Sequence, residues 1–188
     1  NNTTPEPFNC ISIDNKKAAK SAVQYLFGLG HKRIAHIAGD LDTQAGQDRL
    51  DGYYEAFSDA GIDRDKKLVK KGGFLRTPAR TAAEAFLTAK ERPTAIFAAS
   101  DLMALEVLDV AKTLGIKVPD ELSVIGFDNN LSTIDSSTRL ATYEQPIVDM
   151  ARLGVENLYQ MSLGLAKLPV KITLGAKFIK GRTIGALK

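Results

Sequence analysis

Three charged residues of this chain, Arg49, Asp101 and Asp128, have the types and placement to do chemistry, and the chemistry they offer is binding. An ionised carboxylate only accepts hydrogen bonds, and a guanidinium only donates them from a fixed fork of N–H groups. A polyol needs both kinds of partner, because each hydroxyl donates once and accepts twice. Charge-assisted bonds of this sort belong to the stronger class. Asp128 closes the stretch Val118 to Asn129, whose apolar run Leu122 to Phe127 reads as a strand apolar on both faces. Such a strand belongs in the middle of a parallel sheet covered by helices. In open α/β sheets the ligand crevice lies outside the carboxyl ends of these strands, where Asp128 is aimed. Two bland alternatives stand beside this reading. Asp128 can cap a turn with Asn129 and Asn130, and Arg49 can pair on the surface with Asp48 or Asp51. Phe74 and Tyr53 are aromatics able to stack on a sugar or base face, although Tyr53 sits on a helix stripe that favours the core.

Signals of catalysis are missing. There is no G-x-G-x-x-G, P-loop or G-x-S-x-G motif, and no activated nucleophile or base is visible. The two histidines, His31 and His36, fall at a helix–strand junction and inside a strand without ligand spacing, which reads as structural. No catalytic residue, metal or cofactor is expected. The single cysteine, Cys10, excludes an internal disulfide, fits a reducing compartment and lies in an apolar run as a small core residue. A net charge of +3 with scattered lysines is too little for a nucleic-acid surface. No apolar stretch reaches the roughly 18 residues that a membrane-spanning helix requires.

The elements that must position these residues follow from periodicity. Short apolar runs at Phe8 to Ile13, Ile34 to Ala38, Leu68 to Phe74, Ala95 to Ala99, Leu122 to Phe127 and Leu140 to Tyr143 predict strands. Between them lie amphipathic helices with stripes Ala19-Ala22-Val23-Leu26, Leu50-Tyr53-Tyr54-Phe57, Ala79-Ala82-Ala83-Phe86-Leu87 and Ala104-Val107-Leu108-Ala111-Leu114. Pro78 opens the third of these and Pro93 stops it, while Ser100-Asp101 start the fourth. Pro146 starts a long helix to about Leu163, and Val170 to Leu174 and Phe178 to Lys180 are closing strands. This alternation is the pattern of an α/β, doubly wound parallel sheet. Right-handed crossovers then gather the loops Gly39 to Arg49, Phe74 to Thr77, Ser100-Asp101, Asp128 to Asn130 and Glu144-Gln145 at one rim.

Taken in order, several short motifs carry a resemblance: Leu29-Gly30-His31-Lys32-Arg33-Ile34, Arg49-Leu50-Asp51-Gly52-Tyr53, Pro93-Thr94-Ala95-Ile96, Ser100-Asp101-Leu102-Met103-Ala104, Val118 to Asn129, Leu140 to Pro146 and Phe178 to Thr183. The ordered set resembles the LacI/GalR family of bacterial transcription regulators over nearly the whole chain from Phe8. The resemblance implies a periplasmic-binding-protein-like fold, two α/β lobes joined by three crossings with an effector between them. Residues 15–145 and 169–188 would form the C-terminal effector-binding and dimerisation lobe, with 1–14 and 146–168 as remnants of the N-terminal lobe. It carries effector binding onto Arg49, Asp128 and Asp101, onto Ser100 where members usually have Asn, onto Phe74 as an aromatic over the ligand, and onto Gln145 at a lobe crossing. It also places a dimer contact on the helix after Asp101, with Glu106 where a glycine is common. Independently, Leu102 and Leu105 lie off that helix's core stripe, so a second side of it is apolar and calls for burial.

The expected function is therefore effector sensing by a cytoplasmic, homodimeric LacI-type regulator. Its partner would be a small metabolite, a sugar above all, and operator DNA would be held only through an N-terminal head that is not part of this sequence. The rival of another class is a periplasmic sugar-binding protein of a transport system, which shares the fold.

Overall fold

The computed structural model describes residues 9–129, 139–165 and 169–187. The expected first strand residue Phe8 and most of the Ser/Thr/Asn-rich loop 129–138, Asn130 included, lie outside the described residues.

Helix α1 (Asn15–Gly28) is started by Asp14, whose side chain accepts from the Lys17 N–H at 2.9 Å. It buries the expected stripe, Ala19, Ala22, Val23 and Leu26. Helix α2 (Gln44–Asp59) is capped by Thr43 and buries Arg49, Tyr53, Ala56 and Phe57. These two helices pack together on one face of a sheet built from β2 (Ile34–Ala38), β3 (Val69–Lys71), β4 (Ala95–Ala98) and β5 (Ser123–Ile125). Helices α3 (Arg76–Leu87) and α4 (Asp101–Thr113) cover the other face. All pairings in this sheet are parallel, in the order β3-β2-β4-β5. Strands β2, β4 and β5 are buried throughout, as strands covered on both faces must be. The doubly wound α/β reading holds, with one hydrophobic core on each side of the sheet.

Some boundaries differ from the periodicity. The run Leu68 to Phe74 begins as a single 3-10 turn, Lys66–Leu68, and β3 stops at Lys71 because Gly73 and Phe74 adopt positive φ, 62° and 61°. Helix α3 starts at Arg76, so Pro78 sits inside its first turn, where no intrahelical donor is needed. It ends at Leu87, well before Pro93, with the Thr88 N–H bonded to Glu84 O. Leu114, just past the end of α4, is exposed; on the helix Leu108 is only half-buried, whereas Glu106 is buried.

A smaller body flanks the sheet. Strand β1 (Cys10–Ile13) pairs in parallel with β7 (Lys171–Leu174), and α5 (Ile147–Ser162) packs on β1. Strand β6 (Thr142–Glu144) runs antiparallel to β8 (Lys177–Ile179) and is tied to the end of β5 by Gly126 N–H to Ala141 O at 2.9 Å and Asp128 N–H to Tyr143 O at 2.8 Å. Residues 169–188, grouped together by the sequence reading, thus divide: β7 joins β1, and β8 joins the larger body. Helix α5 has no buried residue, and Val148, Val155, Leu158 and Tyr159 are exposed on it.

Candidate functional site

The carboxyl ends of β2, β4 and β5 bring Arg49, Phe74, Phe127 and Asp128 together. Arg49 is 4% exposed, because α2 lays it against the sheet end. Its Nε donates to Asn15 Oδ1 at 2.9 Å, and its Nη1 donates to Ala99 O at 2.5 Å and to Asp128 Oδ1 at 3.2 Å. The guanidinium lies 3.7 Å from the Phe127 ring centroid and 5.7 Å from that of Phe74. Cation–π contact and hydrogen bonds together fix its plane. The surface pairing of Arg49 with Asp48 or Asp51 does not form; Asp128 takes that place.

Asp128 stands at φ 114°, a backbone strain of the kind found where a side chain is aimed for a purpose. Its Oδ1 also accepts from Gln145 Nε2 at 2.5 Å. Among the described residues no hydrogen bond is made by Asp128 Oδ2 or Arg49 Nη2; Arg49 lines the neighbouring cleft, whereas Asp128 and Phe74 are not among its lining residues. Burial pushes the Asp128 carboxyl above its ordinary value of 3.8, and the Arg49 charge and the Gln145 amide pull it partly back. Burial likewise lowers Arg49, with Asp128 opposing.

Arg49 and Gln145 open onto a cleft of about 510 Å³ between the sheet end and the β1–β7 ribbon. Asn15, Thr43, Gln44, Asp48 and Lys171 complete its polar wall. A volume in this range suits a small molecule. A second cavity of 510 Å³ under α5 is lined mainly by apolar side chains such as Ile11, Met150, Leu158 and Met161, and lacks the charged groups.

Ser100 and Asp101 do not join the cluster at the cleft. Ser100 caps α4, accepting from the Met103 N–H at 3.4 Å, and is 5% exposed. Asp101 is 1% exposed and its Oδ1 accepts from Thr142 Oγ1 at 2.6 Å, tying α4 to β6. Neither is among the residues that line the cleft, and their bonds run to α4 and β6. Tyr53 is core, its hydroxyl donating to Ile34 O at 2.9 Å. His31 is held by Thr94 Oγ1 and Gly185 O, both at 3.0 Å. Leu102 and Leu105 are half-buried on the outer side of α4. The sequence reading did not single out Asn15, the first residue of α1, as a site residue. It also missed Lys171, which only the β1–β7 pairing brings to the cleft. Among the described residues no group of three or more His, Cys, Asp or Glu could hold a metal ion, and no helix is long and apolar enough to cross a membrane.

A doubly wound sheet with a charged pair at its carboxyl edge, open to a cleft beside a second small body, defines the periplasmic binding protein-like class. A periplasmic binding protein-like domain model indeed matches residues 23–184. The HTH-type transcriptional regulator DegA of Bacillus subtilis (strain 168) is 33% identical over 173 residues, 92% of this chain and 51% of its own. The HTH-type transcriptional repressor CytR of Escherichia coli (strain K12) is 41% identical over 142 residues, 76% of this chain and 42% of its own. A solved transcriptional regulator CelR–cellobiose complex superposes with a TM-score of 0.89 at 32% identity, covering 97% of this chain and 56% of that one. The chain belongs to the LacI family of transcription regulators, and spans about half the length of these relatives. Its relatives are regulators, not enzymes.

Proposed function

We propose that this chain is the effector-binding and dimerising part of a LacI-type transcription regulator, taking a small polyhydroxy metabolite, a sugar, in the cleft beside Arg49 and Asp128. The observation that carries the reading is the bonded Arg49–Asp128–Gln145 cluster, two members of which, Arg49 and Gln145, line a cleft of ligand size. A hydroxyl entering there would donate a hydrogen bond to Asp128 Oδ2 and accept one from Arg49 Nη2, both charge-assisted. Phe74 would cover one face of a sugar ring. The neighbour solved with cellobiose supports a sugar as the ligand class.

Residues 1–14 and 146–168, extended by β7, would make up one lobe, and 15–145 with β8 the other. Effector bound between them would favour one relative orientation of the lobes, a population shift. Half-exposed Leu102 and Leu105 on α4 would meet a second copy and pass the change on. Operator DNA would be held by an N-terminal head, in the cytoplasm. The regulators among the relatives favour this reading over a transport protein of the same fold.

A thermal-shift screen of monosaccharides, cellobiose and nucleosides on the full-length gene product tests the proposal. A ligand that raises the melting temperature of the wild type and not of Asp128→Asn supports it. A ligand that stabilises both equally places the site elsewhere.

A further inference from the structure

Asn15 and Gln145 stand where the chain passes between the two bodies. Asn15 follows β1 and Asp14 and opens α1; Gln145 lies between β6 and α5. Each is bonded to one member of the charged pair. Arg49 Nε donates to Asn15 Oδ1 at 2.9 Å, and Gln145 Nε2 donates to Asp128 Oδ1 at 2.5 Å. Arg49 Nη1, 3.2 Å from the same carboxylate oxygen, closes a continuous line Asn15–Arg49–Asp128–Gln145 from the first crossing to the second. The line is anchored to backbone at its far end: the Gln145 N–H donates to Asp128 O at 3.3 Å, and the Ile147 N–H, at the start of α5, donates to Gln145 O at 2.8 Å. A shift of the Asp128 side chain therefore reaches the residue that begins α5 through two hydrogen bonds.

We infer that Asn15 and Gln145 are positioning residues through which Arg49 and Asp128 set the relative orientation of the two bodies. The inference rests on the proposed effector cleft, because it gives occupancy of that cleft a route to two of the three crossings. It has a polarity that packing alone lacks. Asn15 acts as the acceptor, Gln145 as the donor. Asn15→Asp keeps an oxygen in front of Arg49 Nε. Gln145→Glu, equally isosteric, removes the donor and sets a second carboxylate against Asp128, and like charges at such range repel.

The test uses the full chain without ligand. Spin labels go on exposed positions of the two bodies, Glu84→Cys on α3 and Glu156→Cys on α5, with Cys10→Ser, and double electron–electron resonance reads the distance distribution between them. Asn15→Ala and Gln145→Glu raise a second orientation about tenfold, the equivalent of one charge-assisted hydrogen bond. Asn15→Asp leaves the parent distribution. Gln145→Ala, which removes the donor without adding charge, gives the same outcome as Gln145→Glu and stands in for it if that variant fails to fold. Distributions that all coincide with the parent, or Asn15→Asp behaving as Asn15→Ala does, overturn the inference. No effector enters this measurement, so its failure leaves the effector reading standing, and a ligand screen without a hit leaves this result standing.

Discussion

Arg49 and Asp128 are 79 positions apart in the chain and 3.2 Å apart in the fold. The strand order brings them together, since Arg49 lies near the start of the helix that follows β2 and Asp128 at the end of β5, both at the carboxyl edge of one sheet. Under the proposed function, that meeting makes effector binding depend on the ionised form of Asp128.

Effector affinity should fall on acidification, starting at a higher pH than an ordinary aspartate would dictate, because burial raises Asp128 above 3.8. The sign for folding is opposite. A carboxyl raised in the folded state favours the fold when protonated and penalises it when ionised, so protonating Asp128 does not itself destabilise the empty protein. Titrations of the effector at a series of pH values, beside melting curves of the empty protein at the same values, check both signs.

His36 yields a separate pH dependence. It is fully buried between Tyr53 and Phe97, with ring centroids 5.1 and 4.8 Å away, and its Nδ1–H donates to Phe97 O at 2.9 Å. Burial lowers it to about 4. Unfolded chains take up this proton near 6.5 and the folded one does not, so stability contributed above pH 6.5 is lost as pH falls toward 4. The loss should be about 3 kcal/mol over that window. Denaturant melts of His36→Phe should lack this portion of the pH slope.

Much of this arrangement is legible in residue order. The apolar runs at Ile34, Ala95 and Leu122 and the alternating stripes are enough for a doubly wound sheet, and the strand-end rule is enough for Asp128. Arg49 was recognisable as a donor, but its partner was not, because a contact across 79 residues depends on strand order. Asp101 misled for a related reason. It too ends a buried run, yet Thr142, from a strand that no local pattern pairs with α4, turns its carboxylate inward. The division of residues 169–188 between two bodies was hidden likewise, since β7 and β8 look alike in sequence and differ only in their partners.

Gly39 should matter to the site out of proportion to its size. A Cβ there would overlap the Phe74 ring, which lies against this glycine on its way toward Arg49. Gly39→Ala should cost about 1–3 kcal/mol of stability through overpacking. It should also weaken effector binding about tenfold by displacing the ring, a loss of about 1.4 kcal/mol. Chemical denaturation and calorimetric titration of the same variant separate the two effects.

Leu105→Asp should dissociate the proposed dimer in sedimentation equilibrium. Completing the burial of the half-buried Leu102 and Leu105 against a partner is worth roughly 1.5–3 kcal/mol per protomer, and a carboxylate in that position reverses it. Both side chains are already half out of the core, so the variant should keep the melting temperature of the monomer.

The central claim is that Asp128 and Arg49 hold the effector directly. Calorimetric titration of the screened sugar into wild type and Asp128→Asn tests it with the least intervening assumption. The account predicts a loss of about 2–3 kcal/mol, some thirtyfold or more in affinity, from losing a charge-assisted bond to the effector together with the counter-charge of Arg49. Equal affinity in the two proteins would contradict it.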